Sequence, residues 1–297
     1  MLVHPIIKFL FMDGTPKPWD ARYFQMAFQL LFLTYGLLFL QWRAEWLQYT
    51  LFLATGLLLQ WMADSVTTKK IIHPFRWKNG GWKSALISCF SLCLLLKTNH
   101  WYICIIAAAL SILSKYILRY KDKHIFNPSA FGIVATVLLT NDAWLSPGQW
   151  GSGVVIFFAV CCLGFIVVSR VQKLDITLAF LFTFAGLLFI RQIVYLNWSW
   201  DVFLQSVSTG SLLLFSFFMI SDPKTAPNHP VARILWAVVI AAVAFYLAAF
   251  KWMNSTPVYV LVFAAPLVPL LDWLMKAKPF EWLQKPSTTH QPIVHHT

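Results

Sequence analysis

Long apolar blocks make up most of this chain, and polar residues are confined to short intervals between them. A helix crossing a bilayer takes about 20 mostly apolar residues. On that basis ten blocks read as spans: 24–42, 46–63, 84–98, 101–118, 127–140, 153–169, 174–192, 203–220, 231–250 and 257–275. The blocks at 84–98 and 127–140 are short, so they are expected to be tilted, broken or extended into their flanks. The expected fold class is all-α, a polytopic membrane protein of about ten transmembrane helices. The chain divides into a cytoplasmic N-terminal segment, 1–23, a ten-helix domain, 24–275, and a cytoplasmic disordered tail, 276–297.

The polar intervals test this count independently. Ten spans put both termini and the even-numbered loops on one side. That side holds nineteen of the 23 basic residues, and the other holds only Arg43, Lys97, Arg191 and Lys251. Loops facing the cytoplasm collect Lys and Arg, so both termini are expected there. A helical bundle also places the protein in a bacterial inner membrane, because outer-membrane proteins are barrels. Most tryptophans, Trp42, Trp46, Trp101, Trp252 and Trp273 among them, fall at span ends, where indole rings anchor to the interface.

Composition agrees. Apolar residues are 59% and charged residues 11% of 297, against about 25% charged in a soluble domain. Mean hydropathy is +0.67. A soluble enzyme, a disordered chain and a coiled coil are excluded. The net charge of +12 is explained by the cytoplasmic loops, and no nucleic-acid partner is expected. The five cysteines, Cys89, Cys93, Cys104, Cys161 and Cys162, lie in apolar blocks without a CxxC pair and read as small apolar fillers. No histidine is central in a span, which argues against haem held by two histidines. Walker A, GxGxxG, HExxH and GxSxG patterns are absent. Neither a catalytic residue nor a metal site is expected.

Two intervals on the cytoplasmic side stand out. One is Lys123-His124-Ile125-Phe126-Asn127-Pro128; the other is Ile220-Ser221-Asp222-Pro223-Lys224-Thr225-Ala226-Pro227-Asn228-His229-Pro230. Each carries an Asx-Pro pair. Proline holds its predecessor out of the helical region, Asn and Asp cap helix starts, and Pro128 suits the first position of the fifth helix. The second interval cannot continue the helix before it, so it leaves carbonyls without intrahelical partners. It is either an ordinary exposed turn or one that lines a ligand or a pathway. An offset of 80 residues aligns Thr136–Asp142 with Ser216–Asp222 and Pro147 with Pro227. That offset spans an odd number of helices, so the copies would be inverted, as in many transport folds.

The string HIFNPSAFG followed by FFMISDPKTAP resembles the membrane flavin subunits of ion-coupled redox complexes, the RnfD/NqrB family (NQR2/RnfD/RnfE type). Asp20-Ala21-Arg22-Tyr23-Phe24-Gln25 and Ser146-Pro147-Gly148-Gln149-Trp150-Gly151 give a closer likeness to a subgroup of enediyne biosynthesis proteins (UnbU-like). The resemblance implies inverted halves, a bound flavin, partner subunits in a membrane complex, and flavin-linked electron transfer or coupled ion transport. Any enzymatic role is then that of a subunit in a membrane oxidoreductase. Several relatives attach FMN to the Thr of a Ser-Gly-Ala-Thr motif. This chain has only Ser208-Thr209-Gly210-Ser211, expected inside a helix, so covalent FMN is not expected, and FMN or riboflavin would be held without a bond. Candidate cofactor-binding residues are Phe126, Asn127, Pro128, Ser221, Asp222, Pro223, Lys224 and Thr225. Phe131, Phe217 and Phe218 are further candidate walls. Two other readings stay open: a non-redox transporter of a small metabolite or flavin, and an accessory scaffold of a membrane complex.

Overall fold

The computed structural model describes residues 20–70, 81–121, 123–146, 164–165, 168–169 and 173–278. Most of the expected sixth span, the turn after Ser146, Cys161, Cys162, the first 19 residues and the tail beyond 278 lie outside the described residues.

The described chain is predominantly helical. In order, its elements are α1 (Ala21–Leu38), α2 (Trp46–Thr68), α3 (Gly81–Leu95), β1 (Leu96–Thr98), α4 (Trp101–Ile117), β2 (Arg119–Tyr120), β3 (Lys123–His124), α5 (Pro128–Thr140) and β4 (Ala143–Leu145). There follow α6 (Leu174–Phe189), α7 (Trp200–Val207), α8 (Gly210–Leu214), α9 (Pro230–Lys251), α10 (Thr256–Ala264) and α11 (Val268–Leu274). By length and composition, three described stretches can cross a membrane: Leu174–Tyr195, Pro230–Lys251 and Thr256–Leu274. A fourth counts if α7 and the Gly210–Met219 segment, bent by 44°, form one span. The apolar helices α3, α4 and α5 are shorter.

Local chemistry explains the boundaries. The Asp20 carboxylate caps α1 through the Arg22 amide at 3.0 Å. Asn127 caps α5 with Pro128 at its first turn, and Asn141 ends it in the left-handed region, φ 54°. The expected span 84–98 is displaced: the helix begins at Gly81, and its last three residues are a strand instead. Leu96–Thr98 pairs antiparallel with Ala143–Leu145, and Ser146 N–H donates to the Leu95 carbonyl at 2.7 Å. Two short ribbons, β1–β4 and β2–β3, therefore accompany the helices.

The expected span 203–220 is also interrupted. Ser208-Thr209-Gly210-Ser211 does not lie inside a helix; it straddles the break between α7 and α8, with Thr209 in an extended conformation. Ser and Thr compete for backbone groups and Gly costs helix stability, which accounts for the break. Beyond it Phe215–Met219 forms a π turn, in which Ile220 N–H reaches the Phe215 carbonyl at 3.0 Å.

The first-half helices pack as α1 on α3, α3 on α2, α2 on α4 and α4 on α5, while α6 packs on α9 and α9 on α10; α10 also meets α5 and joins the two groups. Small residues allow α4 and α5 to cross closely. A Cβ added at Gly132 would come within 2.7 Å of Ser111 Cβ and 2.9 Å of the Ala107 carbonyl oxygen, the close approach typical of membrane helices. Cys89, Cys93 and Cys104 are buried among these helices, Cys89 Sγ lying 3.2 Å from the Phe52 carbonyl.

Candidate functional site

The two Asx-Pro turns meet. Asn127 divides its side chain between them: its Oδ1 accepts from Ala130 N–H at 3.2 Å and Ser129 Oγ at 2.9 Å, capping α5. Its Nδ2 donates to Asp222 Oδ2 at 3.2 Å and approaches the Met219 carbonyl at 3.5 Å. The other Asp222 oxygen accepts from Lys224 N–H at 3.0 Å, and the Asp222 carbonyl accepts from Thr225 and Ala226 N–H at 3.1 and 2.9 Å. Burial raises the Asp222 carboxyl above its ordinary range, against these lowering hydrogen bonds and the nearby Lys115.

Carbonyls that the prolines leave free are taken up by three basic side chains. Lys123 Nζ donates to the Ala226 carbonyl at 2.6 Å, Asn228 Oδ1 at 3.1 Å and Asp272 at 2.7 Å. Lys173 reaches the Pro227 carbonyl at 3.4 Å, and Arg233 the Asn228 carbonyl at 2.9 Å while pairing with Asp175. Asp272 also accepts from Asn228 N–H at 2.8 Å. Burial lowers the Lys123 ammonium despite Asp272, and burial beside Arg233 and Lys123 lowers Lys173 to about 8. The second turn is thus an ordered, half-buried structure and not a loose surface hairpin.

Beside this junction lies a cavity of about 340 Å³, within the size range of small-molecule sites. Asn127, Pro128, Ser221, Asp222, Pro223 and Lys224 line it. Phe217 and Phe218, presented by the π turn, form an aromatic wall. Three expected residues, Phe126, Phe131 and Thr225, do not line it. Phe126 packs on Phe131, ring centroids 4.9 Å apart, and Thr225 lines a separate small void beside Trp236 and Leu261.

The opposite wall was not foreseen from the sequence. It comes from α1 to α4 and β2: Arg22 and Gln25, Gln60 and Asp64, Ser84, Ser88 and Ser91, Lys115 and Tyr116, and from β2 Arg119. Asp64 Oδ1 accepts from Tyr116 Oη at 2.5 Å and Gln60 Nε2 at 3.2 Å, and Gln60 also bonds Tyr116 Oη. Lys115, 4% exposed, donates to the Ser84 carbonyl and Ser84 Oγ, both at 3.1 Å, and to Gln60 Oε1 at 3.4 Å. A signal existed: Gln60/Asp64 and Ser84/Ser88/Ser91 recur at three- and four-residue spacing, which puts each set on one helix face; Arg119 follows in β2, just past the end of α4. Polar faces inside membrane helices mark functional paths.

His124 also lines the cavity, with Nδ1 buried and without a hydrogen-bond partner among the described residues. Burial, with Lys115 and Arg119 nearby, lowers its imidazole from 6.5 to about 4, so it is neutral at pH 7.

These residue types suit a flavin: aromatic and apolar walls for a ring system, amide and hydroxyl groups for its polar edge, basic groups for a phosphate. No curated protein matches the chain. Residues 137–281 match the NQR2, RnfD, RnfE family. The matched stretch takes in Phe217, Phe218, the whole second turn and its anchor Asp272, and leaves Asn127 and the α1–α4 wall outside. It supports reading the chain as a membrane subunit of the RnfD/NqrB type.

Proposed function

We propose that this chain is an integral membrane subunit of the RnfD/NqrB type, acting with partner subunits in flavin-linked electron transfer or coupled ion transport. FMN or riboflavin is held without a covalent bond in the cavity between the two Asx-Pro turns. The observation that carries this reading is that cavity, closed on one side by both turns and walled by Phe217 and Phe218. A bound flavin would supply one- and two-electron chemistry. The protein's own part is to hold it: Phe217 and Phe218 cover apolar surface, Asn127, Ser129 and Ser221 offer hydrogen bonds, and Lys224 offers positive charge. The absence of a Ser-Gly-Ala-Thr attachment motif supports non-covalent retention. The Asp20–Gln25 segment and the Ser146–Gly151 string favour the enediyne-biosynthesis subgroup.

The same reading keeps ten spans in two inverted halves, with both termini cytoplasmic in a bacterial inner membrane. One observation supports inversion. Asn127, at the start of α5, touches Asp222, whereas α5 carries the chain about 20 Å away before Asp142. In this reading the aligned segments 136–142 and 216–222 run in opposite directions, one leaving the cavity and one arriving at it.

A second reading, passage of a small metabolite or of flavin without redox chemistry, is favoured by Ser84, Ser88 and Ser91. Their spacing carries the polar lining about 10 Å along α3, as a hydroxyl-lined path for a polar solute would. The spectrum of gently solubilised protein between about 350 and 500 nm, where flavins absorb, tests the first reading. Flavin bands that leave with the supernatant after acid precipitation support it. A colourless preparation that imports solute into proteoliposomes supports the second, and flavin fluorescence retained on the denatured chain overturns non-covalent retention.

A further inference from the structure

The charges around the cavity are unequal in kind. Its two carboxylates are already occupied: Asp64 by Tyr116 and Gln60, Asp222 by Asn127 and the Lys224 amide. Of its cations, Arg22 pairs with Asp20, but Lys115, Arg119 and Lys224 form no ion pair with any carboxylate among the described residues. Lys115 is the telling member. Its ammonium is almost wholly buried, lines the cavity, and touches only neutral oxygens. A buried charge is costly unless it is paired; half-buried Lys224 and exposed Arg119 line the same cavity, and with Lys115 they outnumber Asp64 and Asp222 and make the field inside it positive.

We infer that the cavity selects a ligand bearing an oxyanion, phosphate or carboxylate, and that this group lies against Lys115, with Arg119 and Lys224 as its further counter-charges. The long 3.4 Å contact to Gln60 is the one the oxyanion replaces, while the two bonds to Ser84 hold the ammonium in place. Lys115 is then a binding residue that reads charge, and Phe217 and Phe218 meet the uncharged part of the ligand. This inference rests on the reading that the cavity is the ligand site, and it adds the class of ligand.

Full-length protein in detergent is titrated with FMN and with riboflavin, following quenching of flavin fluorescence. Inorganic phosphate and succinate are tested separately by their effect on the melting temperature. A charge-assisted hydrogen bond contributes about 1.5–3 kcal/mol, so FMN is expected to bind about tenfold or more tightly than riboflavin. Lys115→Met should reduce that preference to about twofold, the loss of that bond, while Lys115→Arg retains most of it. Lys224→Gln, at a half-buried position, gives an intermediate loss in a chain whose core is untouched. Equal binding of the two flavins overturns the inference and leaves the flavin reading standing, as does a preference that persists in a folded Lys115→Met chain. If neither flavin binds, the flavin reading falls. In that case stabilisation by phosphate or succinate that disappears in Lys115→Met upholds the oxyanion site. No stabilisation by either anion overturns it.

Discussion

Asp222 and Asp201 carry the same carboxylate into opposite circumstances. Asp222 bridges two turns, accepting from Asn127 and from its own turn at Lys224; Asp201 is exposed in the first turn of α7. Removing one partner from a buried polar pair leaves the other unsatisfied, at about 1–3 kcal/mol. Asp222→Ala should therefore lower the melting temperature in detergent by several degrees and weaken flavin binding, and Asp201→Ala should do neither. Indistinguishable melting curves for the two variants would contradict the bridging role. His124 gives a pH test. Its imidazole titrates lower in the folded chain, about 4, than when unfolded, so the unfolded state binds the extra proton as pH falls through 6.5. Stability is complete above that value and declines by about 2 kcal/mol between pH 7 and 5. Asp222, whose carboxyl is raised, acts in the opposite sense, so the measurement is the difference between wild type and His124→Gln: the variant should lose this acid sensitivity. Asn127 and Asp222 were legible in the sequence because Asx-Pro pairs announce themselves. Lys115 and Asp64 were harder to read: the four-residue spacing of Gln60 and Asp64 gives α2 a polar face, but only the packing of α2 on α4 reveals what it faces.

The second turn is held by what surrounds it more than by its own prolines. Lys123 from β3 and Asp272 from α11 converge on it, paired at 2.7 Å and each bonded to Asn228 or its neighbours. Breaking a buried pair by removing one partner costs about 3–5 kcal/mol; here both side chains are under one-fifth exposed, so a value near the lower end, about 3 kcal/mol, applies. Asp272→Asn should speed hydrogen exchange at the amides of Thr225, Ala226 and Asn228 and leave α6 and α9 unaffected. Uniform exchange rates across the turn in both proteins would show that the prolines alone suffice. The sequence announced a turn at this place, since three prolines cannot continue a helix. It could not show that residues 105 positions before Asn228 and 44 after it would close the turn. Element boundaries failed where polar backbone chemistry overrode apolar pattern. Leu96, Lys97 and Thr98 end an apolar block that reads as helix, but Ala143–Leu145 offers them ladder partners; at 208–209 two hydroxyls and the following Gly210 break a block that hydropathy reads as continuous.

The cavity's position along the bundle decides which compartment supplies its ligand, and the charge distribution makes that testable. Helix α2 runs from Trp46 to Thr68, about 34 Å at 1.5 Å per residue, the length of a hydrocarbon core, although it is not among the three stretches that are also apolar enough to cross by composition; the proposed topology takes it as a span. Arg43 therefore lies beyond one end and Lys69 beyond the other. Asp64 and Thr67, at the Lys69 end, line the cavity together with Arg119 and Lys224, whereas the β1–β4 ribbon with Asn99 and Asp142 closes the far end of α5. The basic residues concentrate on the cavity side, which the proposed topology therefore turns toward the cytoplasm. An impermeant thiol reagent applied to intact cells should label Arg43→Cys and Asn99→Cys, both exposed, and should label Lys69→Cys and Lys121→Cys only after lysis; the unsubstituted chain reports the background from native cysteines. Labelling of Lys69→Cys from outside would turn the cavity toward the exterior and exclude a cytoplasmic electron donor. Labelling of Arg43→Cys and Lys69→Cys from the same side would mean that α2 does not cross, and the alternation on which ten spans rest would fail from its second helix onward.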